Sequence, residues 1–375
     1  MNVEMLEILV PLGISFVTFQ QIMYLVDRYK GKISSGNPLD YLFYVLFFPK
    51  LVQGPITDYN KLLGSFDDSQ SLRPDEKNIA YGLWLFAIGL GKKVLIADVL
   101  SKAVSYGWNN FAGASSLELL ISSLCYTFQI YFDFSGYSSM AIGVATMLNI
   151  SLNDNFDHPY KSLSIGEFWD RWHISLTRFL REYLYFPLGE SRKGKVRTYI
   201  NILIVFLVSG IWHGASWSFI FWGLLHGVAQ CIDRLLGERW KKLNDTFRWI
   251  CTFSFVNLAW IFFRSESVTQ AITIVTRILR LESTELSQDF ISCFVIDELA
   301  VLTARFPNFA DFILEYRGYG LILYMIACFS LVLCGKTATK EEFNPGPLAV
   351  VASSLILFFS IISLSTVVEF IYGGF

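Results

Sequence analysis

The chain has 375 residues, of which 53% are hydrophobic, 17% aromatic and only 17% charged, with a formal net charge of −2; the mean hydropathy is +0.45. Soluble domains carry nearer a quarter charged residues. The composition therefore excludes an ordinary soluble enzyme and places the chain among all-α, polytopic membrane proteins, whose 34 Phe, 18 Tyr and 10 Trp suit lipid contact and interfacial belts.

The net charge gives no sign of a nucleic-acid partner, and none is expected. The six cysteines are scattered, without a CxxC pair or metal-ligand spacing, and read as packing residues. The apolar run after Met1 lacks the basic start and small-residue cleavage site of a signal peptide.

Residues 9–26 form a first apolar segment, closed by Asp27-Arg28-Tyr29-Lys30-Gly31-Lys32, a basic exit that points to the cytoplasm. Residues 39–51 are too few to span and are broken by Pro49 and Gly54-Pro55, so a re-entrant or interfacial piece is expected. Residues 79–100 are a spanning candidate interrupted at Gly91-Lys92-Lys93. Residues 117–148 are long enough for two helices, with a polar centre around Asp133. Two readings fit Asp133: a helix cap at a turn near Gly136, or an ionisable group inside the membrane.

The stretch SIGEFWDRWHISLTRFLREYLYF, residues 164–186, opens on a capping-box pair, Ser164 and Glu167, and is stopped by Pro187 and Gly189. At 100° per residue, Glu167, Asp170, Arg171, Arg178, Arg181 and Glu182 share one face. Phe168, Trp169, Trp172, Leu176, Phe179, Leu180 and Tyr183 share the other, with His173 among them. This is the pattern of an interfacial helix. Two basic loops follow, one at residues 192–197 and one at residues 234–248. If both are cytoplasmic, the apolar stretch between them crosses an even number of times. About 34 residues are too few for two full spans, so a short helical hairpin over residues 199–230 is expected, with His213 at or near its tip. Residues 247–263, 319–334 and 347–371 complete eight or nine membrane segments, residues 268–281 look amphipathic, and residues 283–307 read as peripheral.

His173 and His213 each lie beside a tryptophan on an inward-facing element. For His213 a satisfied structural histidine competes with a functional one. Neutral imidazole is the natural general base near neutral pH, and a membrane interior excludes the water that would hydrolyse an acyl donor. His158 and His226 read as structural. No GxSxG, Walker A, HExxH or dinucleotide fingerprint occurs.

The runs FWDRWHISLTRFLREYLYFPLG and SGIWHGASWSFIFWGLLHG resemble the membrane-bound O-acyltransferases (MBOAT), closest to the bacterial alginate O-acetylase branch. LVPLGISFVTFQQIMYLVDRYKGK, FFPKLVQGPI, YTFQIYFDFSGYSSMAIG and NLAWIFFR support the likeness in the family's order. The resemblance implies one membrane-embedded domain over the whole chain, a ring of tilted helices around a thinned centre with a tunnel. It implies His213 and His173 as catalytic residues, and Asp133, Arg171 and Trp212 as lining or orienting residues. It implies acetyl transfer across a bacterial inner membrane, from acetyl-CoA or another acyl donor, to an extracytoplasmic polysaccharide such as alginate. No bound cofactor and no metal are implied; membrane lipid and a periplasmic SGNH-type acetyltransferase are the implied partners. The family's extra N-terminal helices, which would precede LVPLGISF, are missing from this stretch. Acylation of peptidoglycan or teichoic acid is an alternative, and a non-catalytic transporter or scaffold is another.

Overall fold

A computed structural model describes residues 13–33, 37–65, 73–192, 194–294, 307–335, 343, 346–366 and 370–371. Its elements are helical, and among the described residues no strand occurs. In chain order they are α1 (Ile14–Tyr29), α2 (Pro38–Leu46), α3 (Tyr59–Gly64), α4 (Glu76–Gly91), α5 (Asp98–Asn109), α6 (Ser116–Met147), α7 (Ile165–Arg171) and α8 (Ile174–Leu180). There follow α9 (Lys195–His213), α10 (Trp217–Leu236), α11 (Glu238–Lys241), α12 (Asp245–Arg264), α13 (Val268–Arg280), α14 (Gln288–Ser292), α15 (Pro307–Cys334) and α16 (Pro347–Ile362).

Among the described residues, three helices are long and apolar enough to cross a membrane: α9, α10 and α12. Their outward residues remain uncovered by protein. Val208, Ile211, Phe221, Val228, Ile232 and Ile250 are all exposed, as are Leu323, Ile326, Leu355 and Phe358 on α15 and α16. An apolar belt of that extent requires lipid as its solvent. The eight or nine segments expected from hydropathy exceed these three. Two more of the expected segments are shorter apolar helices, over 318–334 and 347–362, while α4 and α6 are packed by protein and carry buried polar groups.

Two segments differ from their sequence reading. The polar centre of residues 117–148 is not a turn. A complete capping box at Ser115 and Glu118 starts α6, which then runs unbroken for 32 residues. Gly136 is instead where α4 crosses: a Cβ there would lie 2.8 Å from the carbonyl of Gly89. Small residues at a helix crossing let backbones approach in this way. Residues 164–186 are likewise not one helix. The capping pair starts α7 as expected, but the chain breaks at Trp172 and His173. Trp172 is extended, and His173 is left-handed at φ 44°. The two faces survive the break, with Phe168, Trp169, Leu176 and Phe179 buried, while Arg181 pairs with Asp170 across it at 2.7 Å on the outer side.

The hairpin carrying His213 is present, with longer arms than expected. α9 and α10 have 19 and 20 residues, and the turn falls at Gly214–Ser216. At 1.5 Å per residue each arm reaches about 30 Å, a full membrane thickness. The arms pack nearly backbone to backbone. A Cβ on Gly210 would stand 2.5 Å from the carbonyl oxygen of Phe219, and one on Gly223 would stand 2.4 Å from that of Phe206. A Gly223→Val variant should therefore push the arms apart and destabilise the protein by about 1–3 kcal/mol, the usual cost of overpacking. The check is the thermal midpoint in detergent; an unchanged midpoint would contradict the close approach.

Candidate active site

His213 ends α9 and is buried at 4% exposure. Aromatic rings surround it, with Trp212 at 4.7 Å between centroids, Phe263 at 5.0 Å, Trp222 at 5.1 Å and Phe219 at 6.4 Å. Trp212 in turn stacks on Phe19 at 4.8 Å and meets Phe16 edge-on at 5.4 Å, and its indole N–H donates to the Ser15 carbonyl at 3.4 Å. The same Phe16 ring stacks over His173 at 6.1 Å. Phe134 closes on His173 edge-on at 4.7 Å. The structure thus brings the two histidines expected from the sequence into one buried interior, bridged by Phe16 and Trp212. Phe16 and Phe19 had no sequence signal beyond an apolar helix.

Two cavities flank this interior along the hairpin. One, of about 230 Å³, is lined by Trp169, Leu176, Thr177, Arg181, Ser209 and Arg234 among others. It runs from Arg234, near the foot of α10, to Ser209, one turn before His213. The other, of about 390 Å³, is lined by Gln129, Ser216, Phe219, Phe263, Arg264 and Glu266 among others. It opens at the hairpin tip, and two of its walls are the rings that pack on His213. The basic loops expected in the cytoplasm lie at the end of the hairpin beside the first cavity.

Asp133 sits one helical turn beyond Gln129 on α6, buried at 1% exposure. It pairs with Lys93 Nζ at 2.8 Å, and Lys93 pairs also with Asp98 at 2.8 Å. Lys93 lies in a π-helical turn, residues 92–97, of the kind that often marks functional positions. The backbone N–H of Ile371 donates to the second Asp133 oxygen at 2.9 Å, and Ile371 itself lines the larger cavity. The capping reading of Asp133 is therefore replaced by a buried ion cluster. Arg171 lies elsewhere. It braces the outer face of α7 through Glu167 at 2.9 Å and donates to the carbonyl of Asp157 at 3.4 Å; like Asp133, Trp212 and the two histidines, it lines neither cavity.

His226 is fully buried, ringed by Trp169, Trp222 and Phe255, and its Nδ1 accepts from the Trp169 indole N–H at 3.2 Å. Its place in the packed core agrees with a structural role. His158 lies in a loop against Asp157.

The model of the membrane-bound O-acyltransferase family matches residues 7–268. The chain belongs to this family. It is 41% identical over 312 residues to a peptidoglycan O-acetyltransferase of Helicobacter pylori, covering 76% of this chain and 59% of that protein. It is 39% identical over 267 residues to the probable alginate O-acetylase AlgI of Pseudomonas aeruginosa, covering 71% and 51%. A teichoic acid D-alanyltransferase of Bacillus subtilis is 28% identical over 249 residues, covering 64% and 62%. The chain thus spans between half and about three-fifths of the length of these relatives. The matched region holds α1 to α12, and with them both histidines and the residues lining both cavities except Ile371.

Proposed function

We propose that this chain forms the transfer centre of an O-acyltransferase of the bacterial inner membrane. It moves an acetyl group from a cytoplasmic donor to a hydroxyl of an extracytoplasmic polysaccharide. The observation that carries the reading is the position of His213, enclosed by aromatic rings, with Phe219 and Phe263 of its cage lining one cavity and Ser209, one turn before it, lining the other. Arg181 and Arg234 in the smaller cavity suit the phosphates of a donor such as acetyl-CoA. The polar rim of Gln129, Ser216, Arg264 and Glu266 suits a hydroxylated acceptor.

In this mechanism His213 takes the acceptor's hydroxyl proton as the oxygen attacks the acyl carbon. The carbon–sulfur bond breaks, and the proton passes to the departing thiolate. His173 holds the donor side, and Trp212 and Phe16 keep water from the acyl group. Asp133 orients the acceptor end. A periplasmic acetyltransferase of the SGNH type acts beside it on the same polysaccharide. The acceptor polymer is peptidoglycan or alginate, by likeness to the two O-acetylating relatives.

The test uses the chain in lipid vesicles with labelled acetyl-CoA and, in separate arms, soluble peptidoglycan fragments or mannuronan oligomers. Labelled ester that hydroxylamine releases is the expected product, and the arm that yields it names the acceptor. Absence of ester from acetyl-CoA, with transfer from a D-alanyl carrier protein instead, would overturn the acetyl assignment.

A further inference from the structure

The break between α7 and α8 has a specific cause in the loop that precedes them. Residues 155–157 run alongside it. The backbone N–H of Ile174 donates to the Asn155 carbonyl at 3.0 Å, that of Asp157 donates to the Arg171 carbonyl at 3.0 Å, and Phe156 and Trp172 form an isolated antiparallel bridge. Asn155 is 1% exposed. Its side-chain oxygen collects three contacts: the Ser175 hydroxyl at 2.8 Å, the Ser175 backbone N–H at 3.3 Å, and His173 Nδ1 at 3.2 Å. Its amide nitrogen donates to Ser138 on α6 at 3.4 Å. The Ser175 hydroxyl in turn accepts from the backbone N–H of Ile56 at 3.0 Å.

These contacts decide a proton position. A backbone N–H can only donate, so the Asn155 atom facing Ser175 is its oxygen. That oxygen can only accept. His173 Nδ1 must therefore carry its hydrogen, because a bare Nδ1 would set two lone pairs against each other at 3.2 Å. In a neutral ring the lone pair then lies on Nε2. His173 Nε2 is buried and has no hydrogen-bond partner among the described residues. A buried acceptor left open in this way is costly, and so is the left-handed backbone at a non-glycine residue. Both persist here because α6, the 155–157 segment and α8 hold the ring from three sides.

We infer that Asn155 is the positioning residue of His173, fixing its Nδ1–H tautomer so that the Nε2 lone pair stays available in the interior shared with His213. His213 joins the same interior from α9 through Trp212 and Phe16, and Phe16 and Phe134 cover the His173 ring from α1 and α6. In that state His173, on the donor side, can accept at Nε2 the proton that His213 has taken from the acceptor hydroxyl and give it to the departing thiolate: its Nε2–H bond forms as the His213 N–H bond breaks, and breaks as the S–H bond forms. The kinetic consequence rests on the acyltransferase reading; the tautomer does not.

The full chain, labelled with ¹⁵N-histidine, carries four histidines, and a His173→Gln spectrum assigns the His173 signals. The expected pattern at neutral pH is a protonated Nδ1 and a lone-pair Nε2. Asn155→Asp, which keeps the accepting oxygen, should preserve it; Asn155→Leu should shift it towards Nε2–H. In the vesicle assay Asn155→Leu should lower kcat about 100-fold with KM within about twofold, and Asn155→Asp should recover most of that loss. An Nε2–H signal for His173 in the unmodified chain, or an unchanged Nδ1–H signal in Asn155→Leu, overturns the inference. A tautomer shift in a protein without acetyl transfer supports it and removes the proposed reaction instead.

Discussion

Replacing His213 with Gln should lower acetyl transfer by about 10²–10⁴-fold, the usual share of a positioned general base, while leaving the fold intact. Gln is chosen because His213 fills a cage of four rings. Ala would leave a void there, and cavities in packed cores destabilise by themselves. The measurements are initial rate in vesicles and thermal midpoint in detergent, taken together. Loss of rate at an unchanged midpoint assigns the chemistry to the imidazole. A rate within about twofold of the unmodified chain would show that His213 only packs, and the transfer centre would have to be sought elsewhere. The same substitution at His226 separates the two roles. His226 accepts a hydrogen bond from Trp169 inside the core, so His226→Gln should move the midpoint more than the rate.

His213 was legible in the sequence because an apolar stretch bounded by basic loops puts it at or near the tip of a hairpin, and because it lies beside a tryptophan on an inward-facing element. The arms are longer than the charge pattern suggests, for a physical reason. Lys195, Arg197 and Arg234 read as loop by charge, yet they lie in the helices α9 and α10, where long cationic side chains can reach the interface from within a helix. The break at His173 was illegible. The amphipathic period continues through it on both sides, and what interrupts it is hydrogen bonding from residues 155–157, a polar loop with no motif of its own. Asn155 left no local signal for the same reason: its role exists only once the loop is laid against the break. Asp133 was visible as an anomaly but not as a pair, since its partner Lys93 lies 40 positions earlier on another helix. Periodicity reports which face a residue takes; it does not report what it meets there.

That pair carries the largest expected effect on stability. Lys93, Asp98 and Asp133 are all buried below a tenth of their surface, with the ammonium 2.8 Å from each carboxylate. Lys93→Met keeps the aliphatic stem and removes the charge, leaving two buried carboxylates without the cation between them. Breaking a buried ion pair from one side typically costs about 3–5 kcal/mol, and the loss should appear as a fall in thermal midpoint and in yield of monodisperse protein. Asp133→Asn combined with Lys93→Met should recover part of it, because an amide can still accept the Ile371 N–H that now meets the carboxylate. Lys92→Met serves as the neighbouring control. Lys92 donates to a neutral Ser139 hydroxyl at 3.3 Å, so its removal should have the smaller effect. Equal effects at positions 92 and 93 would mean that the cluster contributes packing alone. Recovery in the double variant would show that charge balance fixes the π-helical turn against α6. In that case the turn places Lys93 where the Phe370 ring covers its ammonium at 4.5 Å, and the cluster ties residues 370–371 to the wall of the larger cavity, within reach of the acceptor path.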